Sequence, residues 1–247
     1  MRIGTAGGAI RASDIEAEFP ASLKAMLQSG EAAGKTRMVP FVGGSTLNNL
    51  YVLRSLFEKI RPARTLEVGL ACGASALPLA ALHRKYDPEG TGQHTAIDPF
   101  QADLDDAGLN QIACDGLATH FRHLREPSLS ALPRLLAEGE RFQLVYVDGS
   151  HLYEDVFIDA FYGIRLLDKD GVIAFDDSTW PDVAKVISFI ERNFAGRLER
   201  LDALNYRPPE TVSAKTRIAH RLGRNQITVF RLIDDPVRPW SAKMVDF

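Results

Sequence analysis

Two pieces of the sequence carry side chains that could do chemistry together: Val147-Asp148-Gly149-Ser150-His151 and Phe175-Asp176-Asp177. Carboxylates brought to one place repel one another and resist joint ionisation, and a divalent cation removes that penalty by taking them as ligands. Side chains alternate along a strand, so Asp176 and Asp177 can share one ion only if the chain bends out of the strand there. His151, three residues beyond Asp148, adds an imidazole able to exchange a proton near neutral pH. The plainer reading is that Asp148 and Asp177 accept backbone amides in turns and that His151 caps the following helix.

A third piece, Thr65-Leu-Glu-Val-Gly-Leu-Ala-Cys-Gly-Ala-Ser75, reads as buried strand, glycine turn and helix start in one run. Gly69 and Gly73 let the backbone turn tightly and come close to a ligand without a Cβ in the way. The spacing is Gly-x-x-x-Gly after Glu67, not the Gly-x-Gly-x-x-Gly that wraps a pyrophosphate. That favours a ligand without phosphates and argues against a nicotinamide oxidoreductase. Asp98 ends the next apolar run, where an acidic side chain can accept two hydrogen bonds from ribose hydroxyls. A turn Asp before Pro99 is the alternative.

Glu67, Gly69, Gly73 and Ser75 are similar to the first motif of the class I S-adenosylmethionine-dependent methyltransferases. The Gly-x-x-x-Gly-x-Ser form resembles the catechol O-methyltransferase branch and methyltransferase family 24, over roughly Val42 to Phe194. The resemblance implies that this turn holds the methionine half of the cofactor, with backbone groups and the Ser75 hydroxyl serving its ends. It places an adenine contact at Ser128. Val42-Gly-Gly-Ser45 is similar to the loop that closes over the cofactor, or is a helix start capped by Ser45 or Thr46. Asp148, Asp176 and Asp177 match the positions that carry a metal, Mg²⁺ or another divalent cation, with Asp148 also bordering the cofactor. His151 falls where the catechol branch keeps a Lys as base.

The expected activity is transfer of a methyl group from S-adenosylmethionine to a small-molecule hydroxyl: a phenol, a sugar or another natural product. A hydroxyl on a hard cation loses its proton more easily, and His151 could take it. Two alternatives stay open: a metal-independent N-methyltransferase acting on a small amine, and a domain that binds the cofactor without turnover.

These residues need a frame that sets them on one edge. Strands are expected at Thr65–Gly69, His94–Asp98, Thr119–Leu124, Phe142–Asp148 and Val172–Asp176, with helical patterns near 76–86, 103–117, 129–138 and 152–167 between them. Alternating units of this kind make an α/β, Rossmann-like, mostly parallel sheet with helices on both faces. Leu198–Leu201 and Gln226–Leu232 would close it as an antiparallel pair, giving seven strands. N-terminal helices are expected over about 13–29, restarted at Pro20, and from Thr46 to Ile60. Residues 205–225 read as a long loop for substrate or lid, in which the basic run from Lys215 to Arg224 could also be a solvated helix face.

The chain of 247 residues is expected to form one domain, about 1–45 being a helical cap. At 45% apolar and 25% charged, with a net charge of −3, it offers no general attraction to nucleic acid or an anionic membrane. Two cysteines and an N-terminus without a long apolar core point to the cytoplasm. A homo-oligomer is compatible with the sequence, which leaves the oligomeric state open.

Overall fold

The computed structural model describes residues 11–247; residues 1–10 of the expected cap lie outside them. Helices α1 (Ala12–Ala17) and α2 (Ala21–Ser29) flank Pro20 as expected and bury Ile15, Leu23 and Met26. A hairpin of β1 (Glu31–Ala33) and β2 (Met38–Pro40) follows, three residues a side and too short for a visible alternation. Helix α3 (Leu47–Ile60) starts at Thr46, whose hydroxyl accepts from the Asn49 amide at 3.3 Å. That cap satisfies an orphan amide of the first turn.

Strands β3 (Arg64–Val68), β4 (Gln93–Ile97), β5 (Phe121–Leu124), β6 (Phe142–Val147), β7 (Leu167–Phe175), β8 (Leu198–Leu201) and β9 (Thr228–Leu232) form one sheet in the order β5-β4-β3-β6-β7-β9-β8. The first five in that order run parallel, and β9 lies antiparallel to β7 and β8. Helices α4 (Ala76–Tyr86), α5 (Ala107–Cys114), α6 (Ser128–Ala137), α7 (Tyr153–Arg165) and α8 (Pro181–Asn193) make the crossovers. Strand alternation splits the core in two: Leu144, Tyr146 and Ala174 pack with α3 and α4, while Val145, Val147 and Phe175 pack with α6, α7 and α8.

Register positions the site. Ile97 pairs with Val68, Val68 with Val147, and Val147 with Phe175. The residues that follow these, Asp98, Gly69, Asp148 and Asp176, therefore leave the sheet side by side at its carboxyl edge, beside β3, where the strand order reverses.

Three elements differ from expectation. The pattern at 103–117 breaks into a 3₁₀ turn, Gln101–Leu104, and the shorter α5, because Asp105 and Asp106 both take left-handed backbone (φ 52° and 55°). Asp105 accepts the Thr36 and Arg37 amides, and Asp106 pairs with Lys35 and Arg125; these tertiary contacts override the local periodicity. Strand β7 begins five residues earlier than expected, at Leu167 paired to Phe142, and absorbs a bulge before Val172. The long loop contains α9 (Ala214–Arg221), capped by Ser213 and burying no side chain, so it shows no apolar stripe.

Candidate functional site

Beneath the glycine turn the backbone is fixed by close contact. Gly69 has φ 91°, and a Cβ built there would lie 2.1 Å from the Asp148 carbonyl oxygen. Only glycine allows the ends of β3 and β6 to meet. Ala71 and Gly73 also take positive φ, 44° and 85°. Asp98 pins the turn: its Oδ2 accepts from the Leu70 and Ala71 amides (3.3 and 3.0 Å) and Gln101 Nε2 (2.8 Å), and its Oδ1 from the Phe100 amide (2.7 Å). Oδ1 is the oxygen left with capacity for a ribose hydroxyl. Glu67 is fully buried under the turn, accepts from Ser75 Oγ at 2.8 Å and lies 3.3 Å from His94 Nε2, with Oε1 unpartnered.

Above the turn opens a cleft of about 680 Å³. Gly69, Asp98, Ser128, Asp148, His151, Asp176 and Asp177 all line it, together with Gly43 and Gly44 of the loop before α3. Val42, Glu67, Gly73 and Ser75 do not. Val42 is 48% exposed, and the Ser75 hydroxyl donates to Glu67 instead of lining the cleft as the resemblance implied.

The acids separate into two groups. Strand β7 stops at Phe175 and Asp177 takes φ 46°, which is the bend that joint use of Asp176 and Asp177 requires. The bend sends them in different directions. Asp177 Oδ2 lies 3.0 Å from His151 Nε2, and one ligand atom each of Asp148, His151 and Asp177 falls within 4.8 Å of the others. His151 Nε2 is buried with no partner in hydrogen-bonding geometry, and its ring stacks on Trp180 at 4.7 Å. Asp176 turns inward, where Asn49, Tyr146 and the Asp177 amide all donate to it. The expected trio Asp148, Asp176 and Asp177 is thus corrected: His151 replaces Asp176 in the convergent set, because the interior donors hold the Asp176 carboxylate.

Burial, and next the neighbouring Asp176, push the Asp148 carboxyl well above the usual carboxylate range; burial likewise raises Asp176. Contacts run from Asp148 through Ser45 (2.9 Å) and Tyr146 (2.9 Å from Ser45) to Asp176.

Asn49 and Tyr146 carry no signal in the sequence, and Ser45 reads there only as part of the loop before α3 or as a helix cap. Asp159 has a signal: it interrupts the apolar stripe of α7 between Val156 and Ala160, where a carboxylate has no business unless something uses it. Cys72 is buried and Cys114 is exposed. Trp240 is 99% exposed and does not line the cleft.

This sheet order with its antiparallel β9 is the Rossmann-like fold of the class I S-adenosylmethionine-dependent methyltransferases. Residues 66–178 match methyltransferase family 24, described as a methyltransferase domain. No curated protein matches the sequence. Among solved structures, an O-methyltransferase from Bacillus cereus in complex with SAH is 16% identical with a TM-score of 0.62, covering 87% of this chain and 91% of its own. The O-methyltransferase TomG from Streptomyces achromogenes, in complex with SAM and involved in tomaymycin synthesis, is 20% identical (TM-score 0.56, 77% and 82% covered). The SAH-bound methyltransferase PaMTH1 from Podospora anserina is 16% identical (TM-score 0.56, 95% and 100% covered). Among the described residues no helix is long and apolar enough to cross a membrane.

Proposed function

We propose that the protein moves the methyl group of S-adenosylmethionine to a hydroxyl of a small molecule, assisted by a divalent cation. The observation that carries this reading is the convergence of Asp148, His151 and Asp177 in the same cleft as the glycine turn. The two similar proteins described as O-methyltransferases favour oxygen over nitrogen as the acceptor atom. The volume of about 680 Å³ suits a cofactor with a small acceptor.

The turn at Gly69–Gly73 would hold the methionine half and Asp98 Oδ1 a ribose hydroxyl. The donor set of one imidazole nitrogen and two carboxylates fits a divalent cation, and the unpartnered His151 Nε2 fits a ligand that has yet to be engaged. A cation there would lower the pKa of a hydroxyl bound beside it. Asp148, His151 and Asp177 would fix the acceptor in the cleft, and Gln226, which donates to Asp177, keeps that carboxylate from turning away. Asp176, held by Asn49 and Tyr146, would brace the edge beside Asp148.

The 3.0 Å contact of His151 with Asp177 supports a second reading without metal, in which Asp177 orients His151 as the general base. Turnover with a panel of phenolic and sugar acceptors, before and after exhaustive chelation and after restoring Mn²⁺ or Mg²⁺, separates the two. Activity lost on chelation and regained with metal supports the first; activity indifferent to chelation supports the second. We extend the proposal to one domain acting in the cytoplasm.

A further inference from the structure

Beside the cleft lies a second cavity, of about 340 Å³, to which the proposed reaction assigns nothing. Thr46 and Gln226 line both spaces, and the Gln226 side chain donates to Asp177. This annex therefore adjoins the Asp177 end of the cleft, across β3 and β6 from Asp98.

Its lining is basic. Arg207, Lys215, His220 and Arg224 are part of it and no Asp or Glu is, in a chain whose net charge is −3. Among the described residues the one carboxylate that meets this lining is Asp202, 3.1 Å from His220 Nε2; Arg207, Lys215 and Arg224 form no ion pair. Neutral acceptors hold Arg207 in place: Asn48 Oδ1 accepts from Nη2 at 2.6 Å, Thr211 Oγ1 from Nε at 3.3 Å, and the Thr211 carbonyl from Nη2 as well. Its Nη1 has no partner among the described residues. A half-buried guanidinium fixed by uncharged groups, with one nitrogen to spare, is a positioned donor for an anion.

Two helices add to the same field. Helix α9 buries no side chain, yet Lys215, Thr216, Ala219 and His220, which share one of its faces, line the annex. The first turn of α3 contributes Thr46, Asn48 and Asn49 and holds no acidic residue, so the positive end of its dipole is uncompensated there. The basic cavity at the other edge of the sheet gives the contrast, because Arg141, Arg165 and Lys169 share it with Asp234 and Asp235.

We propose that the annex seats an anionic group of the methyl acceptor, a phosphate or a carboxylate, with Arg207 as its oriented donor and Lys215 and Arg224 neutralising its charge. This rests on the reaction placed above. The acceptor is then an anionic molecule whose reacting hydroxyl lies at Asp148, His151 and Asp177 and whose charged end lies past Gln226. A neutral phenol or an unmodified sugar leaves the cations without a counter-charge.

The test titrates phenyl phosphate and benzoate into the protein by isothermal titration calorimetry, with chelator and S-adenosylhomocysteine present and benzyl alcohol as the neutral control. At least one anion should bind saturably and about tenfold or more tighter than the alcohol, and the tighter of the two identifies the group. Arg207→Gln should weaken that binding at least about tenfold, the loss of a charge-assisted contact. The double variant Lys215→Gln/Arg224→Gln, at two exposed positions, should weaken it at least about threefold, and it decides alone if Arg207→Gln does not fold. Lys169→Gln, in the other basic cavity, should change nothing. Anions bound no better than the alcohol, a preference that the annex variants leave intact, or equal weakening by Lys169→Gln overturns the proposal. Wild-type protein that does not bind S-adenosylhomocysteine would instead sink the cofactor reading, while the same titration without it still judges the annex.

Discussion

Gly69→Ala tests whether the junction of β3 and β6 builds the site. The added Cβ would sit 2.1 Å from the Asp148 carbonyl oxygen and 3.0 Å from Gly149 Cα, in a residue held at φ 91°. Left-handed backbone costs an alanine about 1–2 kcal/mol, and relieving an overlap with backbone rather than a flexible side chain costs about 1–3 kcal/mol more. The expected loss of about 2–5 kcal/mol lowers Tm by roughly 5–15 °C in a chain of this size. Relief can come only by moving the β3 end away from Asp148, so the variant should lose S-adenosylhomocysteine affinity and metal affinity together, each by at least about tenfold, a shift of about 1.4 kcal/mol. Gly139→Ala is the control: its φ of 75° imposes the same backbone strain, but nothing lies within 4 Å of the new Cβ. Urea unfolding and calorimetry on both variants read these quantities. A Gly69→Ala protein that unfolds like Gly139→Ala and binds both ligands at wild-type strength refutes the close-contact reasoning.

Further outcomes follow from the same geometry. His151→Ala and Asp177→Asn should each weaken Mn²⁺ binding, followed by electron paramagnetic resonance, at least about tenfold, whereas Asp176→Asn, whose carboxylate is held by Asn49 and Tyr146, should change it less than about threefold. With an imidazole among its ligands the site should take Mn²⁺ or Zn²⁺ more tightly than Mg²⁺; equal affinity for Mg²⁺ would speak for an all-oxygen set that includes Asp176. Asp159 gives a pH signature in the ligand-free protein. Its folded value of about 7 lies above the ordinary 3.8, so between those values the native state holds a proton that the unfolded chain has lost. Stability contributed at this position falls as pH rises from 4 to 7 and levels off above. The full shift corresponds to about 4 kcal/mol, and Asp159→Asn should remove most of this slope in urea unfolding measured at pH 5 and pH 8.

Much of this arrangement could be read in the sequence because single residues carry it. The Gly69 turn, the Asp98, Asp148 and Asp176 strand ends and the final antiparallel pair all follow from local pattern plus the rule that parallel strands present their carboxyl ends to ligands. Even the bend at Asp177 was a stated requirement of a shared cation, and φ 46° meets it. What could not be read was direction. Asp176 and Asp177 are equivalent as letters, and only the donors from α3 and β6, Asn49 and Tyr146, decide that Asp176 faces inward. Those donors are 127 and 30 residues away along the chain. The α5 boundary and the bulge in β7 failed for the same reason: Asp105, Asp106 and Phe142 act through contacts distant in sequence. Helix α9 answers to the reading of the basic run from Lys215 to Arg224 as a solvated helix face; because it buries nothing, no apolar period marks its ends.

The most direct test of the central claim is a crystal of the protein grown with S-adenosylhomocysteine and Mn²⁺, with anomalous scattering used to locate the metal. The account expects one strong peak bounded by Asp148, His151 and Asp177, with the homocysteine sulfur above the Gly69 turn facing it. A cofactor product seated on the turn with no metal peak at those three residues would contradict cation assistance and leave His151 and Asp177 as a base and its orienting acid.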